Sequence, residues 1–144
     1  MTRVMAVGVF DLLHAGHLHY LDQAKSLGEH LTVVVAHDDT VRLRKHEPVT
    51  GQELRCRMVQ GLKPVDDAII GNSPDVPIFD ILPIVNPDII ALGYDQEHAE
   101  EKIRESLNDI GLGNITVTRV EGLSDDLDGT RKIIAKILER ASQN

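Results

Sequence analysis

Two histidines three positions apart, His14 and His17, close the stretch GVFDLLHAGH that begins at Gly8. The stretch lies where an apolar run hands over to a segment with helical spacing, so His14, Gly16 and His17 fall at a helix N-terminus. Free amide groups and the positive end of the helix dipole favour an anion there. Gly16 lets a phosphate approach the backbone, and the two imidazoles offer N–H donors to its oxygens. Paired donors aimed at one phosphate suit stabilisation of charge at phosphorus better than proton abstraction. A single histidine so placed more often caps its helix or packs on the sheet. A zinc site is disfavoured: His19, His37 and His46 are present, but there is no His-Glu-x-x-His pattern and no cysteine cluster to join them. Asp11 either caps the helix or braces its loop.

The basic residues are the natural partners of such a site. Eight of the 15 fall into three patches: Arg42, Arg44 and Lys45; Arg55 and Arg57; Arg119, Arg131 and Lys132. In a chain of formal charge −8 this clustering can focus positive potential on a small polyphosphate. The same net charge argues against a sequence-independent nucleic-acid binder. Cys56 is the only cysteine, so an intrachain disulfide is impossible and a reducing compartment fits. No apolar stretch approaches the roughly 18 residues needed to span a bilayer. These features predict a cytoplasmic protein with small-molecule partners, no nucleic acid and no membrane.

The elements that must position these side chains are read from short β-branched runs alternating with amphipathic segments. VMAVGVF, LTVVVAH, AIIGN, DIIALGY and ITVTRV read as strands buried on both faces. Gly16 to Leu27 carries Leu18, Leu21, Ala24 and Leu27 at helical spacing and is closed by Gly28. Thr50 and Glu53 give a capping-box signal for a helix through Met58 to Leu62, ended by Pro64. Shorter or later helices are expected at Ile78–Val85, at Glu100–Ile110 before Gly111, and from Thr130 to Ala141. With 144 residues, this predicts one α/β domain over 1–144. Its architecture is a Rossmann-like, doubly wound parallel sheet of about five strands with helices on both faces. The ligand crevice then lies at the carboxyl ends of the strands.

GVFDLLHAGHLHYLDQAKSLG resembles the signature of the nucleotidyltransferase superfamily that contains glycerol-3-phosphate cytidylyltransferase, pantetheine-phosphate adenylyltransferase and the archaeal FAD synthases. The resemblance runs along nearly the whole chain, through the basic cluster after the second strand, Arg55, and Arg-Val-Glu-Gly-Leu-Ser from Arg119 to Ser124. It implies transfer of a nucleotidyl group, in which an acceptor phosphate attacks the α-phosphorus of a nucleoside triphosphate and pyrophosphate leaves. It implies catalytic roles for His14, His17, Lys45 and Arg119, with Arg44 and Lys45 competing for one loop position. Nucleotide contacts are implied for Val9, Phe10, His14, Gly16, His17, Gly93, Asp95, Arg119 and Thr130, and acceptor contacts for Arg44 and Arg55, while Arg57 faces solvent. Magnesium or another divalent cation is expected with the triphosphate, and a homodimer is plausible by resemblance alone.

Asp125 to Gly129 separates Ser124 from Thr130, a departure from the cytidylyltransferase ending that reads as a lid or a longer loop. With KPVDDAIIGN and PDIIALGYDQ, it makes the chain most similar to the archaeal FAD synthases, which join ATP and FMN. The flavin ring then needs a largely aliphatic slot, with Phe10, Tyr20 or Tyr94 at its edge. The alternatives are a cytidylyltransferase acting on glycerol 3-phosphate or another phosphorylated alcohol or sugar, and a noncatalytic nucleotide-binding regulatory subunit.

Overall fold

A computed structural model describes residues 1–94, 97–122 and 130–143. Five strands, β1 (Arg3–Gly8), β2 (His30–Val35), β3 (Asp67–Ile70), β4 (Ile89–Leu92) and β5 (Thr116–Arg119), form one parallel sheet in the order β3-β2-β1-β4-β5. The helices are α1 (Ala15–Lys25), α2 (Asp38–Arg44), α3 (Gln52–Gln60), α4 (Leu82–Val85), α5 (Glu97–Asp109) and α6 (Thr130–Ser142). The chain runs outward from β1 to β3 on one side, then returns to place β4 and β5 on the other. The strand order therefore reverses between β1 and β4, which opens a crevice at their carboxyl ends.

The strand residues alternate between two cores, which is why the runs read as continuously apolar. Val4, Ala6, Val33 and Val35 pack with Leu21 and Ala24 of α1 and Val59 of α3. Met5, Val34, Ile90 and Leu92 pack on the opposite face with Leu82 and Val85 of α4 and Leu107 of α5. Both faces of the sheet are thus covered, as a parallel sheet requires. No helix among the described residues is long and apolar enough to cross a membrane.

The expected five-stranded α/β sheet is the one observed, but several local expectations differ. Helix α2 was not expected, because DDTVRLR buries only Val41 and so shows no apolar period. The Thr50 capping box does not form: the N-cap of α3 is Gly51, without a side-chain cap bond. Thr50 instead bonds through its backbone, accepting from Arg55 and donating to Asp11. Helix α3 ends at Gln60, capped by Gly61, ahead of Pro64. Residues 78–85 form a 3-10 turn, Ile78–Ile81, running into α4, and Asn86 ends the pair in a left-handed conformation. In α1, Leu21 and Ala24 are buried as expected, whereas Leu18 is exposed.

Candidate active site

The loop from β1 to α1 is held in an unfavourable backbone shape by deliberate bracing. Phe10 and Leu12 have φ of 56° and 57°, the left-handed region that costs a non-glycine residue about 1–3 kcal/mol. Phe10 folds its ring back over Gly8, where any Cβ would stand 2.7 Å from the ring. Asp11, buried, accepts from the backbone N–H groups of Val49 (2.7 Å) and Thr50 (3.0 Å). Of the two roles open to it, loop bracing is the one the structure shows.

Arg55 completes the brace. It is fully buried, donating through Nη1 to the Val9 carbonyl (2.8 Å), through Nε to the Thr50 carbonyl (2.8 Å) and through Nη2 to Asp38 Oδ1 (2.6 Å). Burial works against ionisation of Asp38, but the Arg55 bond, the Gln52 backbone bond and the charges of Arg55 and Arg42 together outweigh it and hold that carboxyl below its ordinary range. The expectation that Arg55 binds the acceptor is corrected on this ground: its guanidinium is sealed in and spent on three oxygens. One side chain thereby ties the β1 loop to the starts of α2 and α3.

The brace presents the two histidines. His14 is the N-cap of α1, and its Nδ1 accepts from the N–H of Gly16 (3.0 Å); His17 Nδ1 accepts in turn from the N–H of His14 (3.3 Å). An imidazole that accepts at Nδ1 carries its proton at Nε2, so both neutral rings are fixed as Nε2–H donors. The rings stack with centroids 3.8 Å apart and an angle of 25° between planes. Phe10 supports His17 from the other side, with centroids 5.3 Å apart. Burial first, then the His14 ring and the charge of Lys45, lower the His17 pKa from 6.5 to about 4. His17 is therefore neutral near pH 7, too weak a base to extract a proton and well suited to donate a hydrogen bond.

The helix tip differs from expectation in one respect. The amide of Gly16 is occupied by His14, and that of His17 bonds the His14 carbonyl (3.1 Å). The imidazoles, more than bare amides, are the donors this helix start offers.

Lys45 caps the C-terminus of α2 near enough to influence His17, which gives it the better claim than Arg44 to the loop position. Arg44 ends α2 and is exposed. Arg42 is engaged with Asp39 and Glu47 along α2. At the other side of the crevice, Arg119 ends β5 opposite Leu92 of β4, donating to Glu100 Oε2 (2.7 Å) and to the Tyr94 carbonyl (3.3 Å). Gly93 follows β4 directly, and exposed Tyr94 packs on Gly122.

Between the two sides stands Tyr20 of α1. The Val7 N–H donates to its hydroxyl (3.3 Å), and the hydroxyl donates to the Ala91 carbonyl (2.6 Å). It bridges β1 and β4 where their pairing ends, at Ala6 and Ala91. That is a structural task, as is the burial of Phe10, whose ring is closed off from any flavin slot. Sequence reasoning missed Tyr20, Asp38 and Glu100 in these supporting roles, and no spacing in the chain signals them.

Asp95, Ser124 and the 125–129 segment lie outside the described residues, as does the side chain of Thr130, whose backbone opens α6. Among the described residues no three His, Cys, Asp or Glu side chains come together to hold a metal ion. Asp11, the carboxylate nearest His14 in sequence, is committed to backbone amides.

A family model described as cytidylyltransferase-like matches residues 5–139, and so spans both sides of this crevice. The chain belongs to the cytidylyltransferase-like family. Its curated relatives in that family include the FAD synthase of Aciduliprofundum boonei, 48% identical over 141 residues, 97% of this chain and 93% of the relative. The FAD synthase of Thermococcus onnurineus is 48% identical over 139 residues, covering 95% and 91%. Among solved structures, the lipopolysaccharide core biosynthesis protein of Thermoplasma volcanium superposes with a TM-score of 0.80 at 40% identity. The match covers 86% of this chain and 99% of that one.

Proposed function

We propose that this chain is an FAD synthase, an FMN adenylyltransferase converting ATP and FMN to FAD and pyrophosphate. The observation that carries the reaction type is the His14–His17 pair, two stacked neutral imidazoles locked as Nε2–H donors at a strand end. Identity of 48% to two archaeal FAD synthases over nearly the whole chain supports the choice of substrates.

A phosphate oxygen of FMN attacks the α-phosphorus of ATP; the new O–P bond forms as the bond to the β-phosphate oxygen breaks, and pyrophosphate departs. The attacking phosphate is already ionised near neutral pH, so no base is needed, and the depressed His17 pKa fits a donor. His14 and His17 donate to oxygens at the reacting phosphorus, where negative charge grows. Rigid donors of this kind cost no reorganisation at the moment of reaction. Lys45 adds positive charge beside them, and Arg119 takes the triphosphate from the β5 side. Magnesium arrives with the triphosphate as part of the substrate and offsets charge on the leaving group. Gly93, which directly follows β4, meets the nucleotide. The single thiol, Cys56, is free, in keeping with a cytoplasmic enzyme.

The test is incubation of the protein with ATP or CTP and with FMN or glycerol 3-phosphate, followed by pyrophosphate and product mass. FAD from ATP and FMN is the expected product. Pyrophosphate release only from CTP and glycerol 3-phosphate would make it a cytidylyltransferase; nucleotide binding without release in any combination would make it a regulatory subunit.

A further inference from the structure

An open, mainly apolar groove of about 690 Å³ runs beside the β1–α1 loop, lined by Leu13, Thr50, Leu54, Arg57, Met58 and Leu62. The inward residues of α3 are Arg55 and Val59, so Leu54 and Met58 stand on its outer face, 56% and 41% exposed. Surface leucines scattered singly need no explanation, but here they share one concavity with Leu13 and Leu62. Leu13 immediately precedes His14, and Thr50 is held by Asp11 and Arg55, so the groove opens beside the loop that carries His14 and one edge of it is held by the same brace.

We infer that this groove seats the isoalloxazine ring of FMN, an assignment that rests on the FAD synthase reading. The ring is a flat tricycle whose dimethylbenzene end and faces are apolar and whose dioxopyrimidine edge carries carbonyl acceptors. Leu13, Leu54, Met58 and Leu62 meet the apolar part, with the thioether of Met58 adapting to the π-face. Arg57, exposed as expected, also lines the groove and offers the only guanidinium among its lining residues to the pyrimidine carbonyls. With the ring there, the ribityl chain leads past Leu13 and delivers the phosphate to His14 and His17. A glycerol-sized acceptor has no apolar surface with which to fill such a groove. This groove is thus the aliphatic slot that the buried Phe10 does not provide.

Leu54→Gln, Met58→Gln and the double variant test the assignment through flavin fluorescence quenching and steady-state kinetics in both substrates, with thermal melting to verify folding. The double variant is expected to raise the FMN Kd and KM by about tenfold or more while the ATP KM stays within about twofold. Arg57→Leu is expected to weaken FMN and riboflavin alike, since its contact is with the ring. A folded double variant with unaltered FMN affinity overturns the assignment, as does a loss confined to dimer formation, which would make the groove an interface between copies. Failure of the wild-type protein to form FAD would sink the enzymatic reading instead, so the two failures are distinguishable.

Discussion

The two sides of the crevice are built differently. On the β1 side, the loop carrying His14 and His17 is anchored by buried groups: Asp11 on two backbone amides, Arg55 on two carbonyls and Asp38, and Phe10 wedged against Gly8. On the β5 side, Arg119 is about one-third exposed and rests on Glu100, which also pairs with Arg104. The first side holds two rings in a fixed geometry at the cost of two strained residues. The second keeps a long cationic side chain in an ion pair that a polyphosphate can exchange. Rigid donors belong where charge develops during reaction, and an exchangeable cation belongs where substrate is captured.

The largest expected effect comes from breaking the rigid side. Arg55→Leu leaves Asp38 partly buried without its guanidinium and strands two carbonyls. Losing one partner of a buried pair costs about 3–5 kcal/mol. Urea unfolding should show a loss of that order, with Arg55→Lys recovering only part of it; a change within experimental scatter would mean that the brace is ornamental.

Next in size is the chemistry itself. His17→Ala removes one donor from the reacting phosphorus, which should lower kcat by about 10²–10³-fold while the ATP KM changes little. A kcat close to wild type would remove His17 from the mechanism.

The same residue predicts a pH dependence. Its folded pKa, about 4, lies below the unfolded 6.5, so between these values the unfolded chain binds more protons. Stability from a neutral His17 is thus complete above pH 6.5 and drains away as the pH falls towards 4. The depressed carboxyls, Asp38 among them, lose their contribution at still lower pH. Thermal melting should decline from pH 7 to pH 5 in the wild type and less steeply in His17→Gln; parallel curves would contradict the buried, neutral ring.

The same contrast explains what the sequence revealed. Parallel strands buried on both faces leave uninterrupted β-branched runs, so LTVVVAH and DIIALGY could be read directly. The His14–Gly16–His17 spacing was legible because a helix N-cap is a local feature. Arg55 was legible as important but not as a brace: its partners Val9, Thr50 and Asp38 lie 46, 5 and 17 residues away, and only the fold unites them. Thr50 carried a sound capping signal that lost to those tertiary bonds. Helix α2 had a single buried residue, Val41, and therefore no period to detect.

Two smaller effects sharpen the exchangeable side. Arg119→Ala should raise the ATP KM by about tenfold, the value of one charge-assisted contact, and leave FMN affinity alone. Glu100→Gln is expected to move the other way. The Glu100 carboxylate is mostly buried and accepts from both Arg119 (2.7 Å) and Arg104 (2.6 Å), so it neutralises the cation that ATP must recruit. Glutamine keeps an acceptor oxygen and removes the charge. Arg119 then passes to the triphosphate at smaller cost, and the ATP KM should fall about twofold to threefold, as fits a partly exposed pair. The difference should shrink as salt is raised, because the released charge is screened. If Glu100→Gln instead weakens ATP, the ion pair positions Arg119 and does not restrain it, and both sides of the crevice would be preassembled.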